Sequence, residues 1–159
     1  MNQKNYEWDK YFLEMARFTA SKSKDTSTKC GCVLVNNENV VIAMGYNGFP
    51  RGTEYDDSAK VINKPEKYFW FEHAERNAVY CAARTGAKTD NCKAYVTGPP
   101  CHDCARALVQ SGIREVIVPV KHNFLTRMKN GGSWQESCER AMIILQNANI
   151  LYREVNIDV

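Results

Sequence analysis

The sequence has no apolar run approaching the ~18 residues that a membrane-spanning helix requires. Its first residues, MNQKNYEWDK, contain no apolar core of the kind found in secretory signals. Internal repeats and low-complexity tracts are also missing. From these absences we expect a soluble protein of the cytoplasm (the host cytoplasm if the source is viral), without a membrane partner.

A strong excess of one charge is also lacking. The 159 residues carry 21 Lys and Arg against 18 Asp and Glu, a net charge of +3, and these charges are scattered. This pattern is unlike that of proteins that coat nucleic acids, and we expect no polymeric nucleic-acid partner. The aromatic run at residues 68–71 (YFWF) favours a core or subunit interface over a platform for stacking bases.

The cysteines do not form the even set typical of a secreted disulfide framework, because there are seven. Two of them, Cys101 and Cys104, have the Cys-x-x-Cys spacing of a metal site or a redox pair. The other five are expected to be small buried apolar residues. They are Cys30, Cys32, Cys81, Cys92 and Cys138.

The length of 159 residues is typical of one domain, expected over residues 1–159, and the 44% hydrophobic content can fill its core. The expected elements are a helix at 7–23, strands at 32–35 and 40–44, a helix from His73 to a cap at Gly86, a strand at 93–97, a helix from Cys101 to Gly112, a strand at 115–120, a helix from Ser133 and a strand at 150–155. Strands that alternate with helices favour an α/β fold of three layers. We expect a five-stranded mixed sheet with an antiparallel first hairpin, mainly parallel remaining strands, and helices on both faces.

Two connections have no clear regular pattern. Three glycines and a proline at residues 45–52 (GYNGFPRG) predict irregular structure. Composition alone indicates an ordinary loop, but its position just before the metal motif favours contact with a ligand. A long insertion follows at 53–72, and the polar, basic loop at 121–132 has no assigned role.

The chemistry is concentrated in residues 73–75 (HAE) and 99–104 (PPCHDC). His-x-Glu with Pro-Cys-x-x-Cys is the known signature of zinc deaminases. One imidazole and two thiolates, from His73, Cys101 and Cys104, bring Zn²⁺ to about zero net charge and leave a fourth position for water. Zinc lowers the pKa of such a water from ~15.7 to ~7.

Two other interpretations of the cysteine pair are open at this point. A thioredoxin-type redox pair is less favoured, because that motif follows an early strand and needs no His-x-Glu partner. A structural zinc would require a fourth ligand such as His102 or Cys92, and would leave Glu75 without a role. Glu75 could simply favour the positive end of a helix dipole, but next to His73 it is better explained as a proton shuttle.

These motifs resemble those of the cytidine/deoxycytidylate deaminase superfamily, and more narrowly the deoxycytidylate (dCMP) deaminases. The resemblance runs over most of the chain, in family order, and the metal motif alone is specific only for the superfamily. The matching stretches are 23–25 (SKD), 45–50 (GYNGFP), 73–78 (HAERNA), 100–105 (PCHDCA) and 110–113 (QSGI). The fold implied is the cytidine-deaminase-like one.

The resemblance implies hydrolytic deamination of dCMP to dUMP and ammonia, which feeds thymidylate synthesis. His73, Cys101 and Cys104 would hold one zinc ion, and Glu75 would be catalytic. The substrate contacts implied are the backbone amide of Ala74 at the base carbonyl, Asn47 at the deoxyribose or base, and Lys24 at the 5′-phosphate. Weaker phosphate candidates are Lys121, His122 and Arg127. The alternative is a related deaminase that acts on dCTP, a free base or a tRNA base.

The resemblance also implies regulation and assembly. In this family the Gly-Tyr-Asn-Gly-x-Pro loop helps to form an effector site where dCTP activates and dTTP inhibits. A triphosphate effector can carry Mg²⁺, which is the second cofactor expected. The corresponding residues here are Tyr46, Gly48, Phe49 and Arg51. Regulated members of the family are commonly hexamers, so a homo-oligomer is expected, with a hexamer favoured.

Two departures from the family pattern affect these expectations. Some phage relatives hold a second, structural zinc with cysteines near the first loop and the insertion. Here those regions offer Asp25, Asp56 and Asp57 and no cysteine pair, so we predict one zinc per chain. Arg76 and the aromatic residues at 69–71 also differ from the family pattern.

Overall fold

The computed structural model describes residues 3–54, 65–120 and 133–157. Much of the insertion, including Asp56 and Asp57, lies outside the described residues. So does the loop 121–132 with Lys121, His122 and Arg127. Within the described part, no helix is long and apolar enough to cross a membrane.

The helices and strands follow the expected order, with one short helix added in the insertion (Lys67–Trp70). They are α1 (Gln3–Ala20), β1 (Gly31–Val35), β2 (Val41–Tyr46), α2 (Lys67–Trp70), α3 (Ala74–Thr85), β3 (Lys93–Val96), α4 (His102–Gln110), β4 (Glu115–Pro119), α5 (Ser133–Asn147) and β5 (Leu151–Val155).

The strands form one mixed sheet in the order β2-β1-β3-β4-β5. Strand β1 pairs antiparallel with both β2 and β3, while β4 pairs parallel with β3 and β5. The predicted α/β fold with a five-stranded mixed sheet is therefore confirmed.

The sheet separates two apolar layers, because successive side chains of a strand point to opposite faces. Val33 of β1 faces α1, where it lies in one buried cluster with Phe12 and Tyr95. Leu34 faces the other way and joins α3, α4 and α5 in the larger cluster. Helices thus cover both faces of the sheet, and α3, α4 and α5 share one face.

The main difference from the sequence prediction lies at the end of β2. The strand continues to Tyr46, so Gly45 is part of the sheet edge instead of a loop. A Cβ at Gly45 would lie 2.3 Å from the Ala74 carbonyl oxygen and 2.3 Å from the Ala78 nitrogen. Glycine is needed here for close packing against α3, and the prediction of irregular structure was wrong at this position. Helix α1 also ends at Ala20, three residues before the predicted end.

Candidate metal centre and active site

Two helix N-termini meet on one face of the sheet. His73 is the N-cap residue of α3, and Cys101 is the N-cap residue of α4. Both N-caps have extended backbone angles, and the Cys101 sulfur accepts a hydrogen bond from the Cys104 backbone N–H at 3.5 Å. The free amides and the positive dipole end of a helix N-terminus favour thiolates at such positions.

The ligand atoms of His73, Cys101 and Cys104 lie within 4.8 Å of one another. His73 Nδ1 is 3.4 Å from the Cys101 sulfur and 3.5 Å from the Cys104 sulfur. Tetrahedral zinc, with bonds of about 2.3 Å to sulfur and 2.0–2.1 Å to nitrogen, separates such ligand atoms by about 3.6 Å. The donor types and their spacing therefore fit a zinc ion with three protein ligands.

The electrostatics of the cluster favour an anionic sulfur. A hydrogen bond from the Cys104 thiol lowers the pKa of Cys101 to about 4. Burial opposes this shift, and a hydrogen bond with His73 adds to it. The hydrogen bond between the two cysteines, together with burial, raises the pKa of Cys104. A hydrogen bond to Cys101 raises the pKa of His73 against the effect of burial.

Glu75 lies in the first turn of α3 and is buried, with 6% of its surface exposed. Burial raises the pKa of its carboxyl group, while a hydrogen bond with Cys104 partly offsets that rise. A carboxyl group with a raised pKa beside metal ligands is a typical arrangement for proton transfer. Ala74, the neighbouring residue, is fully buried at the first helical position, where the backbone N–H has no acceptor within the helix.

Asn47 is buried and belongs to a network that braces the loop after α1. Its side-chain oxygen accepts the Cys30 backbone N–H at 2.7 Å, and its amide donates to Asp25 at 3.2 Å and to the Thr28 carbonyl at 2.9 Å. Both amide hydrogens are thus used within the protein. Lys24, another of the predicted substrate contacts, is exposed on the loop after α1.

The sequence analysis missed Lys67, a buried cation in this network. Its ammonium group donates to both carboxylate oxygens of Asp25, at 2.9 and 2.8 Å, and to the Ser27 hydroxyl at 2.8 Å. This contact ties the end of the insertion to the loop after α1. No sequence signal identified Lys67, because a lysine in a polar insertion is usually exposed.

Three of the four predicted effector residues, Tyr46, Phe49 and Arg51, line a cavity of about 320 Å³ beside α3. Arg84 contributes a second guanidinium, and the remaining lining residues are Met44, Gly45, Pro50, Glu72, Asn77, Tyr80 and Cys81. Gly48, the fourth predicted residue, does not line this cavity. Its backbone instead pairs with Glu72 in a short bridge, with hydrogen bonds of 3.0 and 2.8 Å.

Trp134 of α5 lies near the metal ligands. Its ring centroid is 6.2 Å from that of His73, and 45% of its surface is exposed. His102, considered from sequence as a zinc ligand, turns toward α5, where its Nδ1 lies 2.7 Å from the Ser137 hydroxyl. Cys92, the other possible fourth ligand, contacts the Lys88 carbonyl oxygen at 3.8 Å.

Comparison with known proteins agrees with this arrangement. The family model described as the cytidine and deoxycytidylate deaminase zinc-binding region matches residues 6–120. The chain is 40% identical to a deoxycytidylate deaminase of Pongo abelii over 70% of its length, but the match spans only 64% of that relative. It is 33% identical to an uncharacterized deaminase of Aliivibrio fischeri, with 96% of each chain covered.

Among solved structures, the fold is similar to the apo dCMP deaminase of the cyanophage S-TIM5, with a TM-score of 0.71 and 21% identity. The alignment covers 94% of this chain and 98% of the cyanophage chain. A second structure of that enzyme, in complex with dCMP and dUMP, gives the same TM-score at 20% identity. At this level of identity the similarity shows the fold alone.

Proposed function

The chain belongs to the cytidine and deoxycytidylate deaminase family, and from this membership we propose that it deaminates dCMP to dUMP in a zinc-dependent reaction. One observation carries the proposal. His73, Cys101 and Cys104 lie at the spacing of a zinc site with three protein ligands, and the buried carboxyl group of Glu75 lies beside them. Three ligands leave the fourth tetrahedral position for the reacting water, as in other catalytic zinc sites.

The reaction consumes one water and releases one ammonia. Bound zinc supplies activated water at neutral pH, because it lowers the pKa of water from about 15.7 to about 7. Glu75 carries one proton of the attacking water to N3 of the ring and the other to the departing amine. The oxygen bonds to C4, the C4–N4 bond breaks, and the products are dUMP and ammonia.

Other residues would orient the substrate. The Ala74 amide at the start of α3 is suited to donate a hydrogen bond to the base carbonyl. Lys24 is a suitable charge for the 5′-phosphate, since it is exposed on the loop that Asp25 and Asn47 hold in place. Asn47 would then act on the substrate indirectly, by holding this loop in place, because its side-chain amide and its backbone N–H and carbonyl are all used internally.

The choice of dCMP rests on relatives. The curated relatives named deoxycytidylate deaminase include proteins of Pongo abelii and of phage T2, and the latter is 30% identical with 87% of each chain covered. The cyanophage enzyme of similar fold was crystallised with dCMP and dUMP. We propose the same substrate here, with one zinc per chain bound by His73, Cys101 and Cys104.

Ammonia release from dCMP, dCTP and cytidine, measured side by side, tests the substrate. We expect dCMP to be turned over fastest. Faster turnover of dCTP or cytidine than of dCMP would contradict the proposed substrate and indicate the related deaminase activity instead.

The Glu75→Gln variant should lose at least 100-fold in kcat, because general acid–base catalysis contributes about 10²–10⁴-fold. It should still bind one zinc, measured by metal analysis.

Glu14→Gln is the matched control, since Glu14 is exposed on α1, on the other side of the sheet. It should keep the wild-type rate. Turnover of dCMP by Glu75→Gln at the wild-type rate would contradict the proposed role of Glu75. Two zinc ions per chain would contradict the single metal site.

We also propose that dCTP activates and dTTP inhibits the enzyme through the cavity beside α3, with Mg²⁺ possible on the triphosphate. The cavity combines two guanidinium groups, Arg51 and Arg84, with the aromatic side chains of Tyr46 and Tyr80. Such a lining suits a nucleoside triphosphate, because guanidinium groups bind phosphates and aromatic rings stack on bases. Unchanged dCMP kinetics with about 1 mM of either effector, the upper end of typical KM values, would contradict this regulation.

The remaining proposals concern the whole protein. We propose a single domain over residues 1–159, a homo-oligomer with a hexamer favoured, and a cytoplasmic location. The single sheet and the family match over residues 6–120 support one domain. Light scattering of the purified protein with and without dCTP tests the assembly state.

A further inference from the structure

Arg76 lies between the two helix ends that carry the metal ligands. It belongs to α3 and pairs with the carboxylate of Glu72, four residues earlier. Its NH1 group also lies 3.8 Å from Oδ2 of Asp103, in the first turn of α4. One guanidinium therefore bridges a residue beside His73 and a residue between Cys101 and Cys104.

Both carboxylates in this bridge have further contacts, and that of Glu72 is with a metal ligand. Glu72 Oε1 accepts a hydrogen bond from the backbone N–H of His73 at 2.9 Å, and the same oxygen pairs with Arg76. The ion pair is therefore linked directly to the backbone of a metal ligand. The second Asp103 oxygen pairs with Arg106 on the next turn of α4. Asp103 thus contacts Arg106 of its own helix with one carboxylate oxygen and Arg76 of α3 with the other.

The orientation of the guanidinium also indicates a bridge. Arg76 has 24% of its side chain exposed, and its Nε is buried with no hydrogen-bond partner among the described residues. The group is therefore held through its terminal nitrogens, which reach the two carboxylates. Arginine suits such a role, because its planar fork can hold two anions at once whereas a lysine ammonium is a point charge.

We propose that Arg76 is a positioning residue that clamps the N-termini of α3 and α4 together and thereby holds His73, Cys101 and Cys104 at zinc-binding distances. The inference rests on the zinc site of the proposed function, but not on the identity of the substrate. Groups that orient metal ligands typically change metal affinity by 10–100-fold when removed. An ordinary exposed ion pair, in contrast, contributes little to stability.

The test measures zinc affinity by competition with a chromogenic chelator, in the full-length protein. Arg76→Leu should weaken zinc binding about 10-fold or more. Its Co²⁺-substituted form should show a changed visible absorption band, because that band reports the geometry of the thiolate and imidazole ligands. Arg76→Lys should recover only part of the affinity, because an ammonium keeps the charge without spanning both carboxylates.

Arg140→Leu is the matched control. Arg140 also pairs with a glutamate four residues earlier, Glu136, but on the exposed surface of α5. It should keep zinc affinity within about twofold. If Arg76→Leu does not fold, Asp103→Asn removes the α4 side of the clamp at a residue that is 40% exposed, and the same loss is expected.

Wild-type zinc affinity and an unchanged Co²⁺ spectrum in a folded Arg76→Leu or Asp103→Asn protein would overturn the clamp. Full recovery by Arg76→Lys would also overturn it, since charge alone would then suffice. These outcomes are independent of the substrate assay. If wild-type protein binds zinc but does not release ammonia from dCMP, the proposed function fails and the clamp is still tested.

Discussion

At the scale of single residues, the loop after α1 is organised by one buried carboxylate. Asp25 is 6% exposed and accepts hydrogen bonds from Lys67, Asn47 and Ser27. Burying an ion pair is costly, but removing one partner is costlier still, because it leaves an unpaired buried charge. The loop that carries Lys24 therefore depends on the ionised state of Asp25.

This dependence predicts an effect of pH on stability. Burial would raise the pKa of Asp25, but the hydrogen bonds from Lys67 and Ser27 lower it overall from its usual 3.8. Stability from the ionised carboxylate is thus complete above pH 3.8 and is lost as the pH falls through the lower folded-state pKa. Asp25→Asn should be less stable than wild type by about 3 kcal/mol at pH 7.

Urea unfolding of both proteins between pH 7 and pH 3 measures the difference. It should narrow below pH 3.8, where Asp25 becomes protonated in the unfolded wild-type chain. Glu14→Gln, at an exposed carboxylate, should show a much smaller difference from wild type. A difference for Asp25→Asn that is constant over this whole range would mean that ionisation of Asp25 contributes little.

At the scale of elements, the position of α3 depends on how closely it packs on β2. Gly45 has no room for a side chain, because a Cβ would meet backbone atoms of Ala74 and Ala78 at 2.3 Å. Gly31 plays the same part for α1, where a Cβ would lie 2.0 Å from the Ala16 carbonyl oxygen. His73 is the N-cap residue of α3. The close packing of α3 on Gly45 therefore also sets the distance between this metal ligand and the sheet.

Gly45→Ala should therefore lower the free energy of unfolding by about 3 kcal/mol, at the upper end of the usual cost of overpacking. It should also weaken zinc binding, because α3 must move away from the sheet. Chemical denaturation and chelator competition measure the two effects.

Gly48→Ala is the matched control, three residues along the same chain segment. A Cβ there would meet only the Tyr46 ring, at 3.5 Å, which is ordinary contact. It should change stability by less than about 1 kcal/mol. Equal free energies of unfolding for Gly45→Ala and Gly48→Ala would show that α3 can move away from β2 without loss of stability.

At the scale of the whole molecule, one polar network joins the start of the chain to its end. Asp9 of α1 is 1% exposed and accepts hydrogen bonds from Tyr95 of β3 at 3.0 Å and from Arg153 of β5 at 2.8 and 3.1 Å. Arg153 also donates to Glu115, the first residue of β4, at 2.5 Å. The network ties α1 to three neighbouring strands on the face opposite α3, α4 and α5.

Arg153→Met should destabilise the protein by about 3 kcal/mol, because Asp9 and Glu115 lose their shared cation while buried. For a chain of this size, that corresponds to a decrease in Tm of about 6–12 °C. Unfolding should remain a single transition, as expected for one domain. Zinc content should be unchanged, since the metal ligands lie on the other face of the sheet.

Calorimetry and metal analysis test this prediction together. Arg140→Met is the control, because Arg140 pairs with Glu136 on the exposed surface of α5, and its loss should lower the Tm far less than that of Arg153. Two separate transitions in wild type or in Arg153→Met would argue against a single cooperative domain.

The sequence by itself determined the order and type of the main elements, the mixed sheet and the residues of the metal motif. These features depend on local patterns. Alternation and helical periodicity reflect burial of one face, and ligand spacing within a helix turn is fixed by helix geometry. Cys101 and Cys104 therefore had to lie together, and the His-x-Glu motif identified their partner.

Only the tertiary structure decided the contacts between residues far apart in the sequence. Lys67 and Asp25 are separated by 42 residues, and Arg76 meets Asp103 across two helices. Asn47, which the family resemblance assigned to the substrate, has its amide hydrogens used by the loop. Gly45 was predicted to lie in an irregular loop, although it belongs to β2 and serves close packing. Such partners depend on how layers pack, and composition and periodicity do not encode which polar side chains meet once the sheet is covered.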